Sequence, residues 1–472
     1  MFKSFEEVQA FMEREDVTQV DLKFANALGQ WHHLSLPTDS VDEEIFEKGV
    51  GFDGSSVGFK ALESGDMVMV PELGTAWMDP FCEYPTLSFV CNVCEADTVE
   101  RFADDPRGVA LKAQEHVRKS GVADKVIFGP EFEFHVFDGI YYSNDNGDCG
   151  YRIETREGHW NSSEAGHGYF VARQNGYHAI PPHDAHWDLR TEIVETLQQI
   201  GVPIRYHHHE VGGAGQLEIE VPLGSLMWAA DASMKIKYVT KQVARLRNQT
   251  ATFMPKPLGN EAGSGMHCHQ TLWKGEKNLF YDENGYSGLS ETALHYIGGL
   301  LKHGRALLGL TNASVNSYRR LIPGFEAPVK AFFSQANRSA AIRVPKYATT
   351  HDGKRIEFRP PDATGNIYLT LAAQLMAGID GIKNKIDPRK EGFGPIDENV
   401  FDWPREKQAS IVSLPSSLEE ALDALERDHD FLLEGGVFTE NLLQTWVEMK
   451  RRDVERMRGL PHPLEIQLYY DI

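Results

Sequence analysis

Apolar and polar side chains alternate most strictly between Glu131 and Phe137. Glu131, Glu133 and His135 fall on one face of a predicted strand, and Phe132, Phe134 and Val136 on the other. Two carboxylates side by side on a strand repel each other unless a cation lies between them; the alternative is a solvated strand face. Three distant segments repeat the pattern. His207-His-His-Glu-Val-Gly-Gly-Ala-Gly-Gln-Leu-Glu-Ile-Glu220 sets Glu210 before a glycine-rich turn and Glu218 in a short alternating run after it. Gly263-Ser-Gly-Met-His-Cys-His269 offers His267 and His269 two positions apart. Arg355-Ile-Glu-Phe-Arg359 puts Arg355, Glu357 and Arg359 on one face, with Ile356 and Phe358 opposite. Glu131, Glu133, Glu210, Glu218 and Glu357 with a histidine together form a mostly oxygen donor set, which suits Mg²⁺ or Mn²⁺ better than zinc.

The remaining pattern divides the chain at about residue 105. Residues 4–14 read as a helix, and residues 20–24, 30–36, 67–70 and 86–91 as short strands of a small β-rich N-terminal domain, 1–105. A larger domain, 106–472, follows. Its predicted helices cover 106–121, 188–200, 226–248 and 291–308, then 417–433, opened by the capping box Ser417-Leu-Glu-Glu420, and 439–458. Residues 140–182, rich in Gly, Asn, Ser, Asp and His, read as a long ordered loop, and 272–289 as hairpin-like. Residues 319–343 alternate arginines with turn residues. Residues 465–472 form an apolar, strand-like tail that needs a surface to dock on.

Composition narrows the partners. At 472 residues and 41% hydrophobic content, the chain can bury the core of a two- or three-domain enzyme. A net charge of −22 argues against nucleic acid or a membrane surface as partner. Five scattered cysteines and no leader pattern point to a reducing cytoplasm. Cys91-Asn-Val-Cys94 has no second pair, and reads as two small buried strand residues sooner than as a zinc site. No apolar run approaches the roughly 18 residues a membrane helix needs.

Seven motifs in order carry a resemblance: Phe52-Asp-Gly-Ser-Ser56; Glu131-Phe-Glu133; His208-His-Glu-Val211; Lys256-Pro257 with Gly263–His269; Asn316 to Glu326; Asn337-Arg-Ser-Ala-Ala-Ile-Arg343; and Ile356-Glu-Phe-Arg-Pro-Pro-Asp362. Along nearly its whole length the chain resembles the glutamine synthetases of the bacterial type I class, in the subclass with an insertion at 140–182. The resemblance implies an α+β fold: an N-terminal β-grasp domain, and a catalytic domain with a curved antiparallel sheet and flanking helices. It implies an ATP-dependent glutamate–ammonia ligase of nitrogen assimilation, working through γ-glutamyl phosphate with two or more Mg²⁺ or Mn²⁺ ions per site. It further implies a homo-dodecamer of two hexameric rings, with Asp53 donated by the adjoining chain.

The resemblance also distributes roles. Glu133, Glu210 and Glu218 hold one cation, and Glu131, His267 and Glu357 a second that travels with the nucleotide. Arg320, Arg338, Arg359 and Gly263 face glutamate. His269, Thr271, Arg338, Arg343 and Arg355 lie along ATP. Asp53, Ser56, Tyr177 and Glu210 form the ammonium pocket with Asp53 as base, and Glu326 beside Pro323-Gly324 is a flap that excludes water. No G-x-x-x-x-G-K-[ST] loop exists in the sequence, so cations and arginines must neutralise the phosphates. One rival is a γ-glutamyl ligase for a polyamine or another amine, which would tend to lose the ammonium pocket. The other is a non-catalytic relative, which would lose ligands. Four positions depart from the family: Ala262 replaces an asparagine at glutamate, Arg205 an acidic nucleotide contact, Leu223 an aromatic at adenine, and Phe401 the tyrosine that is adenylylated in regulated members.

Overall fold

The computed structural model describes every residue except 1, 162, 164, 166, 167, 326 and 472. The N-terminal part is one sheet of β1 (Gln19–Ala25), β2 (Trp31–Pro37), β3 (Val50–Asp53), β4 (Asp66–Pro71), β5 (Trp77–Met78) and β6 (Thr86–Glu95), in the order β2-β1-β6-β4-β3 with β5 on β6. Only β1 and β6 run parallel. Val20, Leu22 and Phe24 of β1 join Val8, Met12, Phe89 and Val93 in a core of their own. The other face of β1 meets the larger part of the molecule, where Lys23 bonds Ser88 Oγ at 2.9 Å and Tyr238 bonds Asp79 at 2.9 Å. Cys91 and Cys94 are free and buried in β6 as expected; three residues apart on a strand, they point to opposite faces. Burial, followed by Asp105, pushes the Cys94 thiol up to about 11.

The larger sheet contains β7 (Lys125–Phe137), and a separate hairpin follows as β8 (Gly139–Asp145) and β9 (Asp148–Glu154). It continues with β10 (Tyr206–His209), β11 (Gln216–Glu220), β12 (Gly224–Ser225), β13 (Thr250–Thr252), β14 (Met266–Lys274), β15 (Lys277–Asn278), β16 (Lys330–Gln335), β17 (Ala340–Val344) and β18 (Ile356–Phe358). The order is β10-β11-β7-β14-β18-β17-β16, with β12 and β13 on β7 and β15 on β14. All pairs are antiparallel except β16–β17. Register sorts the two faces. Ile219, Phe132 and Met266 are cross-strand neighbours on one, as are Cys268, Phe358 and Ile342, and these join the core of the larger part. The opposite face carries the charged positions.

Helices Leu226–Leu246 and Ile367–Asn384 belong to that core. The second buries side chains all round, which erases the 3.6-residue period and left it unpredicted. The 140–182 segment is not a loop throughout. Asn146-Gly147 makes a two-residue turn, and Tyr141, Tyr142 and Tyr151 favour the β8–β9 hairpin around it. Residues 319–343, read as arginines alternating with turn residues, contain β16 and most of β17. The tail is a helix, Pro463–Tyr469, and not a strand: His462 and Glu465 form a reciprocal capping box, and Pro463 sets the first turn. Its Leu464, Ile466 and Leu468 stay about half exposed. Among the described residues, no helix is long and apolar enough to cross a membrane.

The predicted helix 291–308 is two, Glu291–Lys302 and Gly304–Thr311, broken at His303. Buried His303 lies 3.0 Å from Asp380 and 2.9 Å from Asp428, and stacks on Phe431. Burial alone would lower its pKa; the two carboxylates outweigh it and the net shift is upward. The stabilisation is therefore complete below the unfolded pKa and fades as pH rises through the folded one. Urea unfolding should give less stability at pH 9 than at pH 6, with the loss coming from this group. His303→Gln should flatten that difference, and an unchanged slope would assign it elsewhere.

Candidate active site

A cavity of about 600 Å³ opens on the charged face of the larger sheet. Its wall includes Glu131, Glu133, Glu210, Glu218, His267 and Glu357, all six predicted ligands. Strand pairing brings them together. Glu218 of β11 is opposite Glu133 of β7, Glu220 and His267 flank Glu131 on neighbouring strands, and His269 and Arg343 flank Glu357. Glu210 directly follows β10, its N–H bonded to the carbonyl of Gln216 at 2.8 Å, so the glycine turn folds it back beside Glu218.

The side-chain geometry follows. His267 Nδ1 is 3.0 Å from Glu131 and 3.7 Å from Glu357, and its Nε2 is 4.0 Å from Glu133. Glu131, His267 and Glu357 can each place a ligand atom within 4.8 Å of the others, as can Glu131, Glu133 and Glu218. His208, Glu210 and Glu218 form another such set, and Glu131, Glu220 and His269 a fourth. His208 and Glu220 are absent from the sequence-derived ligand set, although each sits two residues from a member of it. A mostly carboxylate donor set fits Mg²⁺ or Mn²⁺.

Charge balance supports the same use. Burial, then Glu133 and Glu218, push Glu210 up to about 9; burial, then Glu131 and Glu133, push Glu218 well above the carboxylate range. These acids lack positive charge. Burial would raise Glu131 too, but His267 and His269 hold it well below its usual value. Glu357 also ends lower, because Arg343, His269 and Arg359 overcome its burial.

Gly263, Arg320, Arg338, Arg343, Arg359 and Tyr177 also line the cavity. Arg343 pairs with Glu357, and Arg359 Nε donates to Glu357 at 3.1 Å. Arg338 lies 5.8 Å over the Tyr177 ring. Arg320 donates to backbone carbonyls, Pro360 at 2.7 Å and Arg359 at 3.1 Å. Gly263 serves this packing: a Cβ there would meet Arg320 Cγ at 2.8 Å. Ala262 is buried on the same wall.

Other predicted residues lie away from the cavity wall. Thr271 is buried and gives its hydroxyl to Asn278 at 2.9 Å. His269, on the same face as His267, is buried and lies 3.2 Å from Glu131. Arg355 donates to the Gly353 carbonyl at 3.0 Å and lies over Tyr347. Asp53 and Ser56 are exposed at the end of β3, where Asp53 accepts from Ser55 N at 2.9 Å and Oγ at 2.6 Å. Neither reaches this chain's cavity. Glu326 lies outside the described residues, between the wall residues Phe325 and Ala327. Arg205 is ion-paired with Glu220, and Leu223 packs over Gly129.

Gly265 is a further requirement. Its N–H donates to Glu133 at 2.6 Å, and a Cβ would collide with the Arg320 guanidinium and come within 3.0 Å of His267 Nε2. Gly265→Ala should weaken Mn²⁺ binding by roughly 10-fold or more while the melting temperature moves only a few degrees. Wild-type affinity in a Mn²⁺ titration would show that this contact does not set the site.

Residues 16–96 match the family described as "Glutamine synthetase, beta-Grasp domain" and residues 103–469 that described as "Glutamine synthetase, catalytic domain". The α+β and β-grasp expectations agree with both. A glutamine synthetase of Nostoc sp. (strain PCC 7120 / SAG 25.82 / UTEX 2576) is 47% identical over 475 residues, covering 99% of this chain and 99% of its own. One of Aquifex aeolicus (strain VF5) is 45% identical over 468 residues, with the same coverage. The cryo-EM structure of Plasmodium falciparum glutamine synthetase superposes with a TM-score of 0.89 at 30% identity, covering 99% of each chain.

Proposed function

The chain belongs to the glutamine synthetase family, and on that premise we propose how its side chains serve the reaction. It is an ATP-dependent glutamate–ammonia ligase that makes glutamine. One observation carries the assignment of its site: five carboxylates and an imidazole converge on one cavity that arginines also line.

Glu133, Glu210 and Glu218, with His208 beside them, hold one divalent cation, and Glu131, His267 and Glu357 a second, as Mg²⁺ or Mn²⁺. Such ions neutralise charge on the transferring phosphoryl oxygens. Arg338 and Arg343 take phosphate oxygens, and Arg320 and Arg359 shape the seat of glutamate. The γ-carboxylate of glutamate attacks the terminal phosphorus of ATP and ADP leaves, giving γ-glutamyl phosphate. Ammonium enters beside Tyr177 and Glu210, gives a proton to Asp53, and adds as ammonia to the acyl carbon; phosphate departs. As the flap residue, Glu326 would exclude water from the acyl phosphate.

We further propose that Asp53 comes from an adjoining copy. Its exposure in its own chain favours this, as does the half-exposed apolar tail helix. The assembly is a dodecamer of two hexameric rings in the cytoplasm, each chain comprising domains 1–105 and 106–472; particle mass in solution tests the count. The acceptor assay tests the chemistry. Phosphate release from ATP and glutamate should be fast with ammonium and near background with methylamine or putrescine. Preference for putrescine would overturn the reading.

Phe401 packs with Trp403 and Ile396 against buried Phe332, Ala340, Val400 and Ile411, and its ring carries no hydroxyl. Incubation with an adenylylating enzyme and labelled ATP should leave no AMP on the chain. Label recovered on it would contradict this.

A further inference from the structure

One buried carboxylate behind the cavity wall joins three segments on which the site depends. Glu157 is 0% exposed. Its Oε1 accepts the backbone N–H of Ala185 at 2.7 Å; its Oε2 accepts that of Gly215 at 2.7 Å and a bond from His209 Nε2 at 3.1 Å. His209 is equally enclosed, and its Nδ1 is 2.7 Å from the carbonyl of Glu210. Each ring nitrogen therefore faces an acceptor, and His209 bridges the Glu157 carboxylate to the backbone of Glu210. A carboxylate removed from water is strongly unfavourable unless its lone pairs are used; here three donors from three places use them.

Each donor leads to the wall. Gly215 lies in the turn between Glu210 and Glu218, in the left-handed region at φ +79°, where a Cβ would strike the Val136 carbonyl. With Gly215 anchored and the Glu210 carbonyl tied to His209, the backbone of Glu210 is held from both ends of the turn. The His209 carbonyl accepts from His178 at 3.0 Å, and Gly176 N–H reaches the Val211 carbonyl at 3.3 Å, which seats Tyr177 between them on the cavity. Ala185 follows Asp184, whose carboxylate grips Arg190 at 2.8 and 2.6 Å, and both of these line the cavity.

We propose that Glu157 is a positioning residue: acting through His209 and Gly215, it fixes where Glu210 points, and through Ala185 it couples residues 183–187 to occupancy of the cation site. This rests on the reading of Glu210 as a cation ligand. Glu157→Gln in the full chain keeps the size but turns one acceptor oxygen into a donor NH2, so either Ala185 N–H or the pair Gly215 N–H and His209 loses its acceptor. Mn²⁺ affinity, followed by the paramagnetic resonance of the free ion, should fall roughly 10–100-fold. Glu157→Asp, which keeps the charge, should recover part of the loss, as a merely space-filling role would not require. In wild-type protein, Mn²⁺ should slow hydrogen exchange in peptides covering 183–187 as well as in those covering 207–218. Wild-type affinity in Glu157→Gln overturns the proposal, and so does Mn²⁺ protection that stops at 207–218. Wild-type protein that binds no Mn²⁺ would overturn the cation reading and this inference with it.

Discussion

Glu218→Gln should melt at a higher temperature than the wild type in EDTA and make essentially no glutamine. Burial and the neighbouring Glu131 and Glu133 raise this carboxyl well above its usual range in the ion-free fold. A raised folded pKa means that its contribution to stability is complete below the unfolded pKa and is lost as pH rises toward the folded one. Near pH 7.5 the unfolded chain ionises Glu218 freely while the folded chain resists, so the residue works against folding. Glutamine keeps the shape and does not titrate; scanning calorimetry in EDTA should show a gain of roughly 1–3 °C. Saturating Mn²⁺ reverses the order. At 100 times its dissociation constant the ion stabilises a binding-competent fold by about 2.7 kcal/mol, and the variant forfeits most of this. Loss of a carboxylate ligand should lower glutamine formation by about 100-fold or more. The same electrostatics make binding release protons, so wild-type affinity should climb with pH until Glu210 ionises, at about 9. A variant less stable in EDTA yet stabilised by Mn²⁺ as the wild type is would contradict a cluster short of positive charge.

The cation face was legible because strands have a period of two, and Glu131, Glu133, Glu218, His267 and Glu357 each lie within an alternating run. Parity reveals a face but not a distance along it. Thr271 shares the parity of His267 and His269, yet it is absent from the cavity lining and Asn278 takes its hydroxyl. In the tail, Ile466, Leu468 and Tyr470 alternate like a strand, and the cap at His462 wins locally. Helix Ile367–Asn384 was invisible for the opposite reason, because burial on every side removes the contrast that periodicity needs. Glu157 had no sequence signal: it stands in a polar, aperiodic stretch, and its partners come from 28, 52 and 58 residues away. Arg320 was legible as an arginine of the site, but its bonds to the carbonyls of Pro360 and Arg359 depend on tertiary placement alone.

Asp53→Ala should separate the two halves of the reaction. Hydrogen bonds from Ser55 and then Ser56 hold the Asp53 carboxylate below its usual pKa, so it stays ionised and attracts ammonium. So low a pKa makes it a weak base in open water; it can accept a proton only where enclosure raises its pKa toward that of the transfer. An exposed turn at the end of β3 offers no such enclosure, whereas the cavity mouth of the adjoining copy proposed above would. Without the carboxylate, amide formation should fall by about 1,000-fold. Phosphorylation of glutamate should continue, seen as scrambling of bridging oxygen-18 in ATP when glutamate is present and ammonium absent. Loss of scrambling as well would mean that Asp53 serves the first step. Mixing resolves where the residue acts: Asp53→Ala and Glu357→Gln chains, each inactive alone, should regain activity when co-assembled, since some cavities then combine an intact cation set from one chain with Asp53 from the next. Mixed assemblies as inactive as their parents would place Asp53 and the carboxylates in a single chain's site, which an exposed Asp53 off the cavity wall could join only by a rearrangement of the N-terminal sheet.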